Sequence, residues 1–183
     1  SCRIFSGLED GLTVHLLGNN VIDGGYVDAN SNGEYAFVTE ADYLPLTFTT
    51  DDDNPGQLLM KNTYRNGEYA QYYSGFGTVF ENGLAEGYSS DKKRLITQKP
   101  VITPDEGLYW TDQEYAISGN GSGTIKYADG MNHFSETTYT APFTMSTVGK
   151  YLLSATQART YDGSTFEVST SGVYIVHNKP GFS

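Results

Sequence analysis

Apolar residues in this chain recur at every second position over short runs, and polar turn residues break the runs about every 8–12 residues. Leu12-Val14-Leu16, Tyr35-Phe37-Thr39, Ile125-Tyr127, Tyr151-Leu153-Ala155 and Val173-Tyr174-Ile175-Val176 read as strands. A period of two sends successive side chains to opposite faces, so each run offers one face to a core. Turn signals separate them: Gly18-Asn19-Asn20, Asp23-Gly24-Gly25, Asn32-Gly33, Asn54-Pro55-Gly56, Asn66-Gly67, Asn82-Gly83, Asp129-Gly130 and Asp162-Gly163. Asn-Gly and Asp-Gly supply the positive φ values that tight turns need. No amphipathic helix of three turns stands out. The pattern predicts an all-β chain of two tandem antiparallel β-sandwiches.

"SNGEYAFV" (31–38) echoes "RNGEYAQY" (65–72), but the flanking residues do not align. The echo reads as one hairpin solution used twice, not as a solenoid repeat. A boundary falls near 95–100, where the polar stretch "EGYSSDKKR" gives way to "LITQKP". The predicted domains are therefore 1–97 and 98–178, with a tail at 179–183. Residues 66–95 carry the weakest pattern.

Composition supports β structure. The 183 residues include 21 Gly, 15 Tyr and 9 Phe, types that fit pleated surfaces and the turns between them. The net charge is −11, with one Trp and one Cys. Residues 1–98 hold 6 basic and 14 acidic groups, residues 99–183 hold 5 and 8. Nucleic acid is an unsuitable partner, because the one basic cluster, Lys92-Lys93-Arg94, reads as solvated loop. A single cysteine rules out an intrachain disulfide. No segment approaches the roughly 20 apolar residues of a membrane-spanning helix. Ser1-Cys2 is similar to the junction at which bacterial lipoproteins are cleaved and lipidated, which makes Cys2 a candidate lipid anchor and a cell-surface location an expectation.

Residues 99–176 resemble the immunoglobulin-like module at the C-terminus of chitobiases and β-hexosaminidases. The residues that carry the likeness are Pro100, Ile102, Pro104, Gly107 and Tyr109, then Ile125, Tyr127, Asp129 and Gly130. Tyr139, Ala141, Pro142 and Phe143 follow, and Gly149, Tyr151, Leu153, Ala155 and Ala158 close it. The resemblance implies an accessory sandwich without glycosidase chemistry. Ala128 and the missing Ser/Thr-Pro after Gly130 depart from the pattern. Residues 1–66 resemble a bacterial surface repeat through "SGLEDGLTVHLLGNN" (6–20), "NGEYAF" (32–37) and "NPGQ" (54–57).

Candidate chemistry is sparse. Asp28, Asn30 and Asn32 stand at alternate positions ahead of Gly33, the start of a calcium loop. The twelfth position is Thr39, where a bidentate carboxylate belongs, so a hairpin is the preferred reading. Asp51-Asp52-Asp53 reads as a solvated acidic turn, since adjacent carboxylates repel one another. His15, His133 and His177 show no metal spacing. Ser122 in "GNGSGT" lacks the first Gly of a nucleophile elbow, and the loop reads as a hairpin. Tyr72, Tyr73 and Trp110 are candidate stacking residues for a glycan, although burial of the lone Trp is preferred. The expected function is non-enzymatic, without a cofactor: a bacterial extracellular module for adhesion, spacing or assembly. Its partners would be other copies of itself or neighbouring surface domains. Carbohydrate binding is the alternative, and a self-assembling filament subunit that adds strands to its neighbours is the next. The hairpin reading of 28–37 expects the same melting temperature with calcium and with chelator. A rise with calcium would establish the metal site instead.

Overall fold

The computed structural model describes residues 11–23, 45–61, 77–130 and 135–181, and the backbone of 5–8 and 37–39. Every regular element among the described residues is a β-strand, and among them no helix is long and apolar enough to cross a membrane. The chain divides into two compact units, Ser1–Gln98 with Thr160–Phe166, and Lys99–Arg159 with Glu167–Ser183.

The first unit contains β1 (Phe5–Leu8), β2 (Leu12–Leu16), β3 (Asn19–Asp23), β4 (Phe37–Thr39), β5 (Leu46–Thr50), β6 (Gln57–Lys61), β7 (Thr78–Phe80), β8 (Leu84–Ser89) and β9 (Arg94–Gln98). Antiparallel pairing was expected here, and most ladders are parallel instead: β1 with β4, β2 with β5, β5 with β7, and β3 with β6. Successive turns of the chain stack in register. Val14 lies opposite Phe48 and Phe48 opposite Phe80, the two rings stacked at 5.9 Å.

A corner holds the stack together. Thr50 Oγ1 donates to Leu16 O at 3.0 Å and accepts from Gly56 N at 2.6 Å. A Cβ on Gly56 would meet the Leu16 carbonyl at 2.4 Å, so the close approach requires glycine. β9 then pairs antiparallel with both β6 and β8. Leu16, Leu46, Phe48, Leu58, Met60, Leu84 and Ile96 form one core. The other faces of β6 and β9 bury Leu59 and Leu95 against Phe166. Both strands are covered on both sides, which explains the unbroken apolar runs Leu58-Leu59-Met60 and Leu95-Ile96.

In the second unit, β10 (Val101–Thr103), β12 (Glu114–Ser118) and β15 (Phe143–Thr144) form one antiparallel sheet. Facing it are β11 (Gly107–Trp110), β13 (Ile125–Ala128), β14 (Thr137–Thr138), the 13-residue β16 (Gly149–Tyr161) and the 14-residue β17 (Ser164–His177). Asp162 and Gly163, at φ 49° and 73°, make the two-residue turn of the β16–β17 hairpin. Its tip, Thr160–Phe166, belongs to the first unit. Inward alternation puts Tyr151, Leu153, Ala155, Tyr174 and Val176 into a core with Ile102, Tyr115, Ile117 and Met145. Tyr115 is fully buried, edge-on to Tyr174 at 5.5 Å and Tyr109 at 5.9 Å. Burial pushes the Tyr115 hydroxyl up to about 12.

The "GNGSGT" loop joins β12 to β13, which lie in different sheets, so it is a crossover and not a hairpin. A Cβ on Gly123 would fall 1.6 Å from Ala158 O, so this glycine serves close packing. Of the basic cluster, Lys92 is exposed in the turn as expected, whereas Lys93 and Arg94 are not solvated. Arg94 is buried on β9 and meets Glu86 at 2.9 Å. Lys93 Nζ reaches Ser164 Oγ at 2.7 Å and Asp91 at 3.0 Å.

Hydrogen bonds from Ser89, then from Ser164 and Lys93, outweigh partial desolvation and hold the Asp91 carboxyl well below the usual carboxylate range. Its stabilising contribution is present above the ordinary carboxylate pKa and is lost as pH falls through the lowered value. Because Asp91 is half exposed, Asp91→Asn is expected to cost about 0.5–1 kcal/mol at neutral pH. In urea unfolding the gap from wild type should narrow below about pH 3. A gap that stays constant into acid would contradict the assignment.

Candidate functional site

Alternation along the hairpin gives the second unit's larger sheet an outer face as well as an inner one. Thr156 and Ser169 meet at 2.9 Å across β16 and β17. That register puts Leu152 opposite Val173 and Lys150 opposite Ile175. β11 runs parallel to β17, with Leu108 opposite Ile175 and Trp110 opposite His177. Opposed residues in a ladder share a face. Leu108, Trp110, Leu152, Ile175, Lys150 and His177 therefore point away from the core. The core-facing partners of these residues are Tyr109, Tyr151, Leu153, Tyr174 and Val176.

This outer face is unusually apolar. Nine large hydrophobic residues are exposed among the described residues, and five of them lie here or at its margin: Leu108, Trp110, Val148, Leu152 and Ile175. Leu108 is 69% exposed and Trp110 is 47% exposed. Trp110 lines an open groove of about 710 Å³ with Leu108, Tyr109, Val148, His177 and Asn178. The groove thus joins an indole ring and aliphatic walls to an imidazole and an amide that can exchange hydrogen bonds. An ion pair at 2.7 Å between Lys179 and Asp112 ties the chain after β17 to the turn after β11. Thr111 N adds a bond to His177 O at 2.9 Å. These contacts fix the two strand ends that carry Trp110 and His177.

Trp110 was expected in the core and lies at the surface. Tyr109, its neighbour, takes the inward position and packs on Tyr115 and Tyr174. Tyr72 and Tyr73, the other glycan candidates, lie outside the described residues. So do Asp28, Asn30 and Asn32 of the calcium reading, the lipidation candidate Cys2, and His133. Asp51, Asp52 and Asp53 are all exposed in the turn between β5 and β6, and Asp51 meets His15 at 3.1 Å. Among the described residues no three His, Cys, Asp or Glu side chains stand together so as to hold a metal ion.

One cluster has the outline of a nucleophilic site. Ser164 Oγ lies 2.7 Å from Lys93 Nζ and donates to Asp91 at 2.7 Å. A Ser–Lys pair works as nucleophile and base when the amine is neutral. Here the amine is instead a partner of two carboxylates, Asp91 at 3.0 Å and Asp162 at 4.0 Å. The cluster pins the hairpin tip to the 89–93 turn.

No family model, curated protein or solved structure matches this chain. An outer-face role for residues other than Trp110 does not follow from the strand reading. Their one signal is the apolar residues of both parities in "YLLSA" and "GVYIV", which mark a strand that carries apolar side chains on both faces.

Proposed function

We propose that this chain is a non-enzymatic bacterial extracellular or cell-surface module that acts in adhesion, spacing or assembly. The observation that carries the reading is the apolar stripe on the outer face of β11, β16 and β17. A contiguous exposed apolar surface is rare on a monomer and marks a surface that is covered in use. The sequence resemblances of 1–66 to a surface repeat and of 99–176 to an accessory sandwich support the same reading. A second reading is favoured by Trp110 alone: an exposed indole beside His177 and Asn178 suits stacking on a neutral sugar ring. The surplus of carboxylates disfavours an anionic glycan.

Beads coated with the chain are expected to cluster with one another or to adhere to surfaces coated with neutral polysaccharide. Leu108→Ser with Trp110→Ser should reduce that adhesion at least tenfold. Trp110 is the only tryptophan, so a fluorescence change with neutral oligosaccharides would report directly from the groove. Beads that neither cluster nor adhere would contradict the proposal, as would adhesion that the double variant leaves intact.

A further inference from the structure

The occupant of the outer face can be argued from charge, and this inference rests on the assembly reading above. The chain carries 22 acidic and 11 basic residues. The stripe nonetheless has a lysine, Lys150, opposite Ile175, and His177 opposite Trp110. Of the carboxylates beside it, Asp112 is paired with Lys179 at 2.7 Å, and Glu106, just before β11, accepts from Val173 N at 3.0 Å. The surface is therefore apolar with an exposed lysine, Lys150, on its β16 edge, in an otherwise acidic protein.

A surface of the opposite kind exists in the first unit. Leu17 bridges Pro55, which places it beside the exposed Asp51-Asp52-Asp53 turn. Leu17 and Val21 are both more than half exposed. Asp23 shares the outward parity of Val21 on β3. Asp51 meets His15 at 3.1 Å and Asp23 meets Lys61 at 3.7 Å, so the corner offers aliphatic side chains with the carboxylates of Asp52 and Asp53, the complement of Lys150 on the stripe. Complementary charge steers association and fixes its register, while apolar contact supplies most of the area removed from water.

We propose that the chain associates with a second copy of itself through these unlike surfaces: the apolar, lysine-bearing face of β11, β16 and β17 in one copy receives the apolar, aspartate-bearing corner of another. Contacts between unlike surfaces leave one of each kind unused on every pair, unless the pair closes reciprocally. The association is electrostatic in part, so it weakens as salt shortens the screening length to about 8 Å at physiological strength.

Sedimentation velocity of the full chain, from micromolar to millimolar, tests this. Wild type is expected to shift to larger species with concentration, less so in high salt. Lys150→Glu and, separately, Asp52→Lys with Asp53→Lys should each remain monomeric. Mixing the two variants should restore association, because each retains one intact surface and the altered pair is complementary. Misfolding cannot produce that rescue. A wild type that stays monomeric throughout overturns the inference, and so do variants that associate as wild type does, or a mixture that stays monomeric. Loss of bead adhesion on changing Leu108 and Trp110, in a chain that never self-associates, would likewise overturn it while leaving the adhesion reading in place.

Discussion

Period-two alternation along the β16–β17 hairpin is the constraint on which both units depend. One parity delivers Tyr151, Leu153, Ala155, Tyr174 and Val176 to the second unit's core. The same parity, carried to the tip, delivers Phe166 to a cluster with Leu59 and Leu95 in the first. The Asp162-Gly163 turn keeps the register because both residues adopt the positive φ that a two-residue hairpin requires. A slip of one residue would turn every core side chain outward and bury Lys150 and His177. The other parity is then left to solvent, and there the chain carries Leu152, Ile175 and, through the parallel β11, Leu108 and Trp110.

The first unit solves a different problem. Parallel ladders cannot be joined by tight hairpins, so its strands return through long connections and stack as successive turns of chain. Such a stack leaves the edge of its last turn open. β9 closes the β6 edge by running antiparallel along it, a common way to keep an edge from pairing with strangers. The buried Thr50 hydroxyl does at the corner what a backbone bond cannot, linking Leu16 O of one turn to Gly56 N of the next.

The all-β class and most described strands were legible because alternation and turn chemistry agree. Ile125-Tyr127, Tyr151-Leu153-Ala155 and the β17 run all fall in strands as their spacing implies. Strand direction was not legible, since Leu12-Val14-Leu16 looks the same in a parallel or an antiparallel ladder. The one clue is a spacing: Asn32 and Asn66 of the echoed "NGEYA" are 34 residues apart, as are the stacked Leu12 and Leu46. Trp110 was misplaced because its neighbour Tyr109 competes for the same inward position, and only the β11–β17 register decides between them. Arg94 reads as loop by its charge, against its place before Leu95-Ile96, and Glu86 compensates its burial.

Core and outer face thus differ by one residue along a single strand, which makes adjacent leucines the most direct probe. Leu153 is fully buried, and Leu152 is 56% exposed. Leu153→Ser is expected to lose about 3–5 kcal/mol in urea unfolding, through a cavity and a buried hydroxyl. Leu152→Ser should stay within about 0.5 kcal/mol of wild type while lowering bead adhesion. Equal destabilisation by both changes, or adhesion unmoved by Leu152→Ser in a folded chain, would contradict the division of the hairpin into a structural and a working parity.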